Sequence, residues 1–260
     1  MNTRIVHKTS AIVIHSLDYG ESDRIITFYS SDFGKVKGIA KGARRSKKRF
    51  SNALEPMSYC NIILSKGRGT LALIEGCDVI DYHANIRGDL HKTLLSSYLT
   101  ELVDKFTLEG KKNVELFKLL LNFLGLVDSG ACSEVLARFF EIRLLRLTGY
   151  EPVLDRCVTC KRPVGEEAVY HFTMSDGGLR CNACHQNNSD SPYISLETIR
   201  TLLLAKEINT AKINGIAFSD QTAQECRDVL VGFIHHLLGK EVKSFLVLNH
   251  IQKMGLLTSQ

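Results

Sequence analysis

The residues best suited to chemistry lie in one stretch, CVTCKRPVGEEAVYHFTMSDGGLRCNACH, residues 157–185. Two C-x2-C pairs, Cys157 with Cys160 and Cys181 with Cys184, are separated by twenty residues. Each pair forms a short knuckle whose thiolates can turn toward one ion, and the spacer, with AVYHF and GGLR around SDGG, reads as a hairpin that joins the knuckles. Tetrahedral zinc takes four such ligands at about 2.3 Å. Four thiolates fill that shell and leave no position for a reacting water, so the pattern predicts one structural Zn2+. Two other chemistries use the same residues. A redox C-x-x-C needs its first thiolate at the start of a helix after a βα unit, a setting Cys157 lacks. An iron–sulfur cluster would take the same four ligands, but paired knuckles around a hairpin favour zinc. His171 and His185 are read as surface or supporting residues. Cys60, Cys77, Cys132 and Cys226 stand in apolar surroundings and are expected in the core.

The second candidate chemistry is electrostatic. AKGARRSKKRF, residues 40–50, packs Arg44, Arg45, Lys47, Lys48 and Arg49 into six positions. The net charge of the chain is +5, and all of the excess falls in residues 1–83, where 13 Lys/Arg face 8 Asp/Glu. Lys35, Lys37 and Lys41 share parity along KVKGIAK, so a strand there puts three cations on one face and turns Val36 and Ala40 inward. Lys66 and Arg68 in SKGRG could flank the same groove. Gly38 and Gly42 would let a partner approach the backbone. Cations continuous from a sheet face into a loop suit a phosphate backbone, which they bind without reading bases. Phe50, Phe33 and Tyr29 are candidate stacking platforms, with Phe33 assigned rather to core packing.

These residues need elements to hold them. Five β-branched runs, AIVIHS, RIITFYS, KVKGIAK, YCNIILS and TLALIEGCDVI, occupy residues 1–83, with turn signals between them. Closure into a small antiparallel barrel removes the exposed edges; five strands favour an OB-fold, while an SH3-like barrel has the same pattern. Residues 84–150 switch to helical period in LHKTLLSSYLTELVDKF, VELFKLLLNFLGLV and SEVLARFFEIRLLRLTG, and Gly149 with Pro152 ends the last of these. Residues 193–206 and 220–238 return to helix, the second opened by a Thr222–Glu225 capping box. The fold class expected is α+β and multidomain: a nucleic-acid-binding barrel over 1–83, a helical domain over 84–150 and 192–260, and a zinc-ribbon-like module over 151–191.

The N-terminus, MNTRIVHKTS, lacks the apolar core of a secretory signal, and FKLLLNFLGLV is too short to span a bilayer, which points to the cytoplasm. No G-x-x-x-x-G-K-[ST] or H-E-x-x-H occurs, and Pro163 follows its C-x-x-C where a deaminase would have it before. His235 and His236 lie on an apolar helix and read as packing residues. A non-enzymatic binding protein is therefore expected. A metal-dependent nuclease and an RNA-binding barrel-and-zinc module are the alternatives.

The run AIVIHSLDYGESDRIITFYSSDFGKVKGIAKGARRSKKRFSNALEPM resembles the N-terminal barrel of the RecO family of bacterial recombination mediators, through YGESDRI, GKVKGIAKGAR and ALEP. RFFEIRLLRLTGYEPVLDRCVTC resembles the family's central helix running into its zinc knuckle, and LGKEVKS its C-terminal signature. The resemblance implies an OB-fold, a helical domain and a four-cysteine zinc module. It also implies binding of single- and double-stranded DNA, annealing of complementary strands and a nucleoid-associated place in the bacterial cytoplasm. Its partners would be single-stranded DNA-binding protein, recognised through an acidic C-terminal tail, the ring-forming RecR, and RecA, whose filament it helps load. Arg138, just before FFE, is the candidate contact for that tail. After Ser244, FLVLNHIQKM is less basic than the resemblance would lead one to expect.

Overall fold

The computed structural model describes residues 5–46, 49–50, 53–67, 70–130, 132–165, 169–185 and 191–254. The chain packs into two compact units, residues 1–130 with 247–260 and residues 131–246.

The first unit begins with five strands: β1 (Val6–Tyr19), β2 (Asp23–Ser30), β3 (Gly34–Ala40), β4 (Tyr59–Ser65) and β5 (Ala72–Asp81). All five predicted runs form strands, and β1 starts earlier than AIVIHS. Its extra length closes the sheet. Val6–Ile12 pair with β4, and Ala11–Tyr19 pair with β2. A register shift between Val13 and His15 accompanies that change of partner, as a bulge lets a strand bend. The pairings run β1-β2-β3-β5-β4 and return to β1. Every neighbour is antiparallel except β3 and β5, which are parallel.

Alternation decides what fills the barrel. Ala11, Val13, Ile26, Phe28, Ile62 and Ile74 point inward and are essentially inaccessible. Burying a side chain of this kind contributes about 1.5–3 kcal/mol each. Phe50, Ala53 and Leu54 from the β3–β4 connection join the same core. Gly38 is explained here as well: a Cβ on it would lie 2.8 Å from Ile74 Cγ1. Its missing side chain makes room for the barrel's own β5, not for an incoming partner. Gly42 is needed for its positive φ of 66° at the turn that follows β3.

Three helices follow the barrel in sequence, α1 (Ala84–Gly88), α2 (Leu90–Phe106) and α3 (Val114–Ser129). Asp89 caps α2 by accepting from Lys92 N, and Asn113 caps α3 by accepting from Leu116 N. The connection between α2 and α3 lies along β3: Gly110 N donates to Lys35 O at 2.9 Å. Asp104 fastens it further, accepting from Lys35 Nζ at 3.1 Å and pairing with His15 Nε2 at 3.5 Å. The His15 contact, then Lys35, holds the Asp104 carboxyl well below the ordinary carboxylate range. A carboxylate depressed in the folded state adds stability above its unfolded pKa, and that stability is lost as pH falls through the folded value. Below about pH 4 the protein should therefore lose urea resistance, and Asp104→Asn should flatten that loss while lowering the midpoint at neutral pH. Urea midpoints at pH 7 and pH 3 check this; equal slopes for the two proteins would remove Asp104 from the account.

The second unit holds α4 (Glu134–Leu147), a four-stranded sheet of β6 (Val153–Cys157), β7 (Val169–Thr173), β8 (Gly178–Cys181) and β9 (Tyr193–Ser195), then α5 (Leu196–Glu207) and α6 (Asp220–Leu238). A last helix, α7 (Lys243–Lys253), crosses the boundary between the units in sequence. The stretch expected as one helical domain thus supplies helices to both units. Residues 193–195, expected as helix, form a strand paired with β7, since Ser195 caps α5 and the helix cannot begin before it. The predicted capping box also differs. Ser219 takes the cap of α6, accepting from Thr222 N. Glu225, 7% exposed, instead accepts from Ser195 N at 2.8 Å and Thr198 Oγ1 at 2.6 Å, and so ties α6 to the start of α5.

Candidate metal centre and nucleic-acid interface

The predicted hairpin forms as β7 and β8, paired from Tyr170–Cys181 to Thr173–Gly178. β6 ends at Cys157 and lies parallel to β8. The turn after β6 carries Cys160, and a 3-10 turn after β8 carries Cys184. The four sulfurs lie within 4.8 Å of one another, with Cys160 Sγ and Cys181 Sγ 3.8 Å apart. A tetrahedron of 2.3 Å metal–sulfur bonds puts its sulfurs about 3.8 Å apart, so the residues present fit a tetrahedral ion.

Electrostatics point the same way. Burial, the largest influence on Cys157, pushes its thiol up, but the N–H groups of Cys181, Cys160 and Thr159 together outweigh it and hold it at about 6. Cys184 is pushed up to about 12, first by Cys181 and then by Cys160. Four thiolates this close repel one another unless a cation sits among them. His171 and His185 stack on each other, ring centroids 3.5 Å apart, and neither belongs to the four-sulfur cluster.

The basic surface grows out of β3. The predicted parity is present: Val36, Gly38 and Ala40 turn toward the core, Lys35 and Lys37 away. The cations do not share one fate, however. Lys35 is 11% exposed and committed to Asp104, on both its carboxylate and its carbonyl. It braces the α2–α3 connection and is withdrawn from the predicted cationic face. Lys37 pairs with Glu109 at 2.7 Å, and both remain about half exposed. Nothing in residues 1–83 signals these two acids, which come from a segment some seventy positions downstream.

Beyond β3 the charge opens to water. Asp23 accepts from Gly42 N at 2.8 Å and anchors a tight turn in which Arg45 N and Ser46 N both donate to Gly42 O. That turn lifts Lys41, Arg44, Arg45 and Arg49 to exposed positions. Arg44 pairs with Asp18 at 3.5 Å and Arg45 with Glu21 at 3.7 Å. Such surface pairs are worth about 0–1 kcal/mol, too little to hold these cations from a polyanion. Arg49 lies over the Phe50 ring, 4.7 Å from its centroid, and donates to Lys41 O. Lys66 is exposed at the end of β4. Lys47, Lys48 and Arg68 lie outside the described residues.

The aromatic assignments reverse. Phe50 is 2% exposed and Tyr29 fully buried, so neither offers a stacking face. Phe33, assigned to the core, is the one partly exposed, in edge contact with His7. Short loops decide this: Phe50 follows the basic turn straight into the barrel, while Phe33 sits at the β2–β3 turn. Arg138 is also corrected. It is 2% exposed and paired at 3.0 Å with Glu141, itself 0% exposed, inside the second unit. A side chain so enclosed does not lie open at the surface where the tail contact was expected. It sits on α4 among Leu136, Ala137, Phe139 and Phe140, all buried, where helical period alone would leave it outward.

Two family models match the chain: Recombination protein O N terminal over residues 1–83 and Recombination protein O C terminal over residues 87–245. The DNA repair protein RecO of Syntrophus aciditrophicus (strain SB) is 50% identical over 259 residues, covering 98% of this chain and 100% of the relative. Proteins of the same name from Geobacter metallireducens and Halalkalibacterium halodurans are 34% and 29% identical, over 94% and 96% of the chain and 98% and 96% of their own lengths. Among the described residues, no helix is long and apolar enough to cross a membrane.

Proposed function

Because the chain belongs to the Recombination protein O family of DNA repair proteins, we propose that it works as a non-enzymatic recombination mediator that holds DNA strands by charge. The barrel is read as an OB-fold: five strands in the order β1-β2-β3-β5-β4 with β3 and β5 parallel. The observation that carries the reading is the exposed set Lys41, Arg44, Arg45 and Arg49 on the turn leaving β3. With Lys37 and Lys66 these cations are read as a track for single- and double-stranded DNA, to which Lys47, Lys48 and Arg68, outside the described residues, add charge by sequence. Lys35 keeps a bracing role. Two strands held on one such surface have their charge neutralised and can pair, which is annealing.

The four cysteines are read as holding one structural Zn2+, which when bound supplies charge neutralisation for four thiolates and no open coordination position. A filled shell suits a brace and not a hydrolytic centre, and this supports a non-enzymatic role. Partners of this reading are single-stranded DNA-binding protein through its acidic tail, RecR, and a RecA filament loaded on the strand. With Arg138 enclosed, the tail's contact is left to the exposed cations of the chain.

Salt dependence tests the reading. If about six phosphates on a single strand are neutralised, log affinity should fall against log salt with a slope of about −4. Annealing of complementary strands coated with single-stranded DNA-binding protein should fall with it, and should fall further when that protein lacks its acidic tail. Affinity that stays flat between about 50 and 200 mM salt would sink the proposal.

A further inference from the structure

β3 and β5 pair only at Gly38–Ala72 and Ile39–Leu73. Among the described residues, Lys35, Val36 and Lys37 therefore have no β5 neighbour; the α2–α3 connection bridges to Lys35 through Glu109, and the wall opens between that connection and β5. The opening is a cavity of about 480 Å³ at the barrel mouth, walled by Ile5, His7, Phe33, Val36, Leu64 and Ala72. Cavities of roughly 300–1,000 Å³ with apolar walls and a few polar groups are the usual form of small-ligand sites, and barrel mouths are among their usual places. Phe33 is fixed there by His7, their ring centroids 5.4 Å apart at 71°. Ile5, 72% exposed, leaves further apolar surface at the entrance. Lys37, Lys66, Thr70 and Glu109 line the cavity with polar and charged groups.

We propose that this cavity receives one unstacked nucleobase of a bound single strand, with the adjoining phosphates at Lys37 and Lys66. The inference rests on the DNA-binding reading above and adds a contact to bases that charge alone does not supply. Charge complementarity selects the occupant. The two lysines at the cavity continue toward Lys41 and the basic turn, four residues or about 13 Å along the strand. A chain of phosphates following that track carries a flat, largely apolar group at each sugar, and Phe33 offers such a group a stacking face. An uncharged apolar peptide would use the walls and gain nothing from the lysines. Glu109 already neutralises Lys37 at 2.7 Å, and an arriving phosphate would displace this half-exposed carboxylate.

The test compares an oligothymidylate with an abasic strand of the same length, binding the full-length protein at one salt concentration. Stacking of one base is worth about 1–3 kcal/mol, so the base-bearing strand should bind roughly five- to hundredfold tighter. Phe33→Ala should erase the preference and leave affinity for the abasic strand unchanged. That substitution removes packing as well as a stacking face, so Thr70→Trp, which fills the mouth from an exposed position, should do the same with the fold untouched. Equal affinity of the unaltered protein for the two strands, or a preference that survives both substitutions, overturns the cavity's role and leaves strand binding standing. Failure to bind either strand overturns the DNA-binding reading along with it.

Discussion

Replacing Arg44, Arg45, Lys47, Lys48 and Arg49 together by glutamate is expected to lower single-strand affinity by about three thousandfold or more at about 0.1 M salt. Each phosphate neutralised on a single strand releases about 0.7 counterion, which is worth about 0.7 decade at that concentration. Five such contacts give about 3.5 decades, and the introduced acids repel the strand besides. The salt slope should flatten from about −4 to about −1, because few released counterions remain. The fold should survive. Arg44 and Arg45 are exposed and paired with surface acids, Arg44 also donating to the carbonyls of Gly20 and Glu21 at the surface, and the turn itself is held by backbone groups and Asp23. Titration of a labelled single strand at several salt concentrations reads both quantities, with a thermal melt as the control for folding. Retained affinity with a cooperative melt would move the interface away from this turn.

The second large effect is expected at the cysteines. Cys157→Ser, or removal of metal by a chelator, should open the sheet of β6, β7, β8 and β9. Structural zinc contributes about 10–16 kcal/mol in small zinc modules, far more than a sheet with strands of three to five residues can replace. Cys157 matters most because it is buried at the end of β6 and accepts the Cys181 N–H at 3.4 Å. Proteolytic cleavage should appear between Val153 and Ser195, and thermal unfolding of the second unit should fall by on the order of 10 °C or more. Strand affinity through the barrel should change less than about twofold, since the basic turn belongs to the first unit. Elemental analysis should give one zinc per chain; less than half an equivalent would remove the metal from the account.

Both expectations draw on features legible along the chain. The cysteine spacing names its own ligands, since a metal shell imposes donor type and number locally and two knuckles need only a hairpin to meet. The strands of the barrel were legible because β-branched alternation and turn residues are short-range signals. The long helices α2, α3, α4 and α6 were equally readable from their apolar period. Failures came from a nearer competitor or from a distant segment. Thr222 and Glu225 had the spacing of a capping box, yet Ser219 reached the helix start first and Glu225 was drawn into the hydroxyls around Ser195.

Local spacing along the chain sets an inventory: five strands, the cysteine set, and an unbalanced positive charge confined to residues 1–83. Tertiary structure decided which members of that inventory face water. Lys35 on β3 and Lys41 on the turn after it have the same parity in sequence, but Asp104 encloses the first and leaves the second outside. Arg138 occupies a polar position in an apolar helix, and only the packing of that helix shows it buried against Glu141. Phe33 and Phe50 exchange the roles their surroundings had indicated. Spacing along the chain fixes which face of an element a side chain takes, while exposure depends on how the rest of the structure packs against that face.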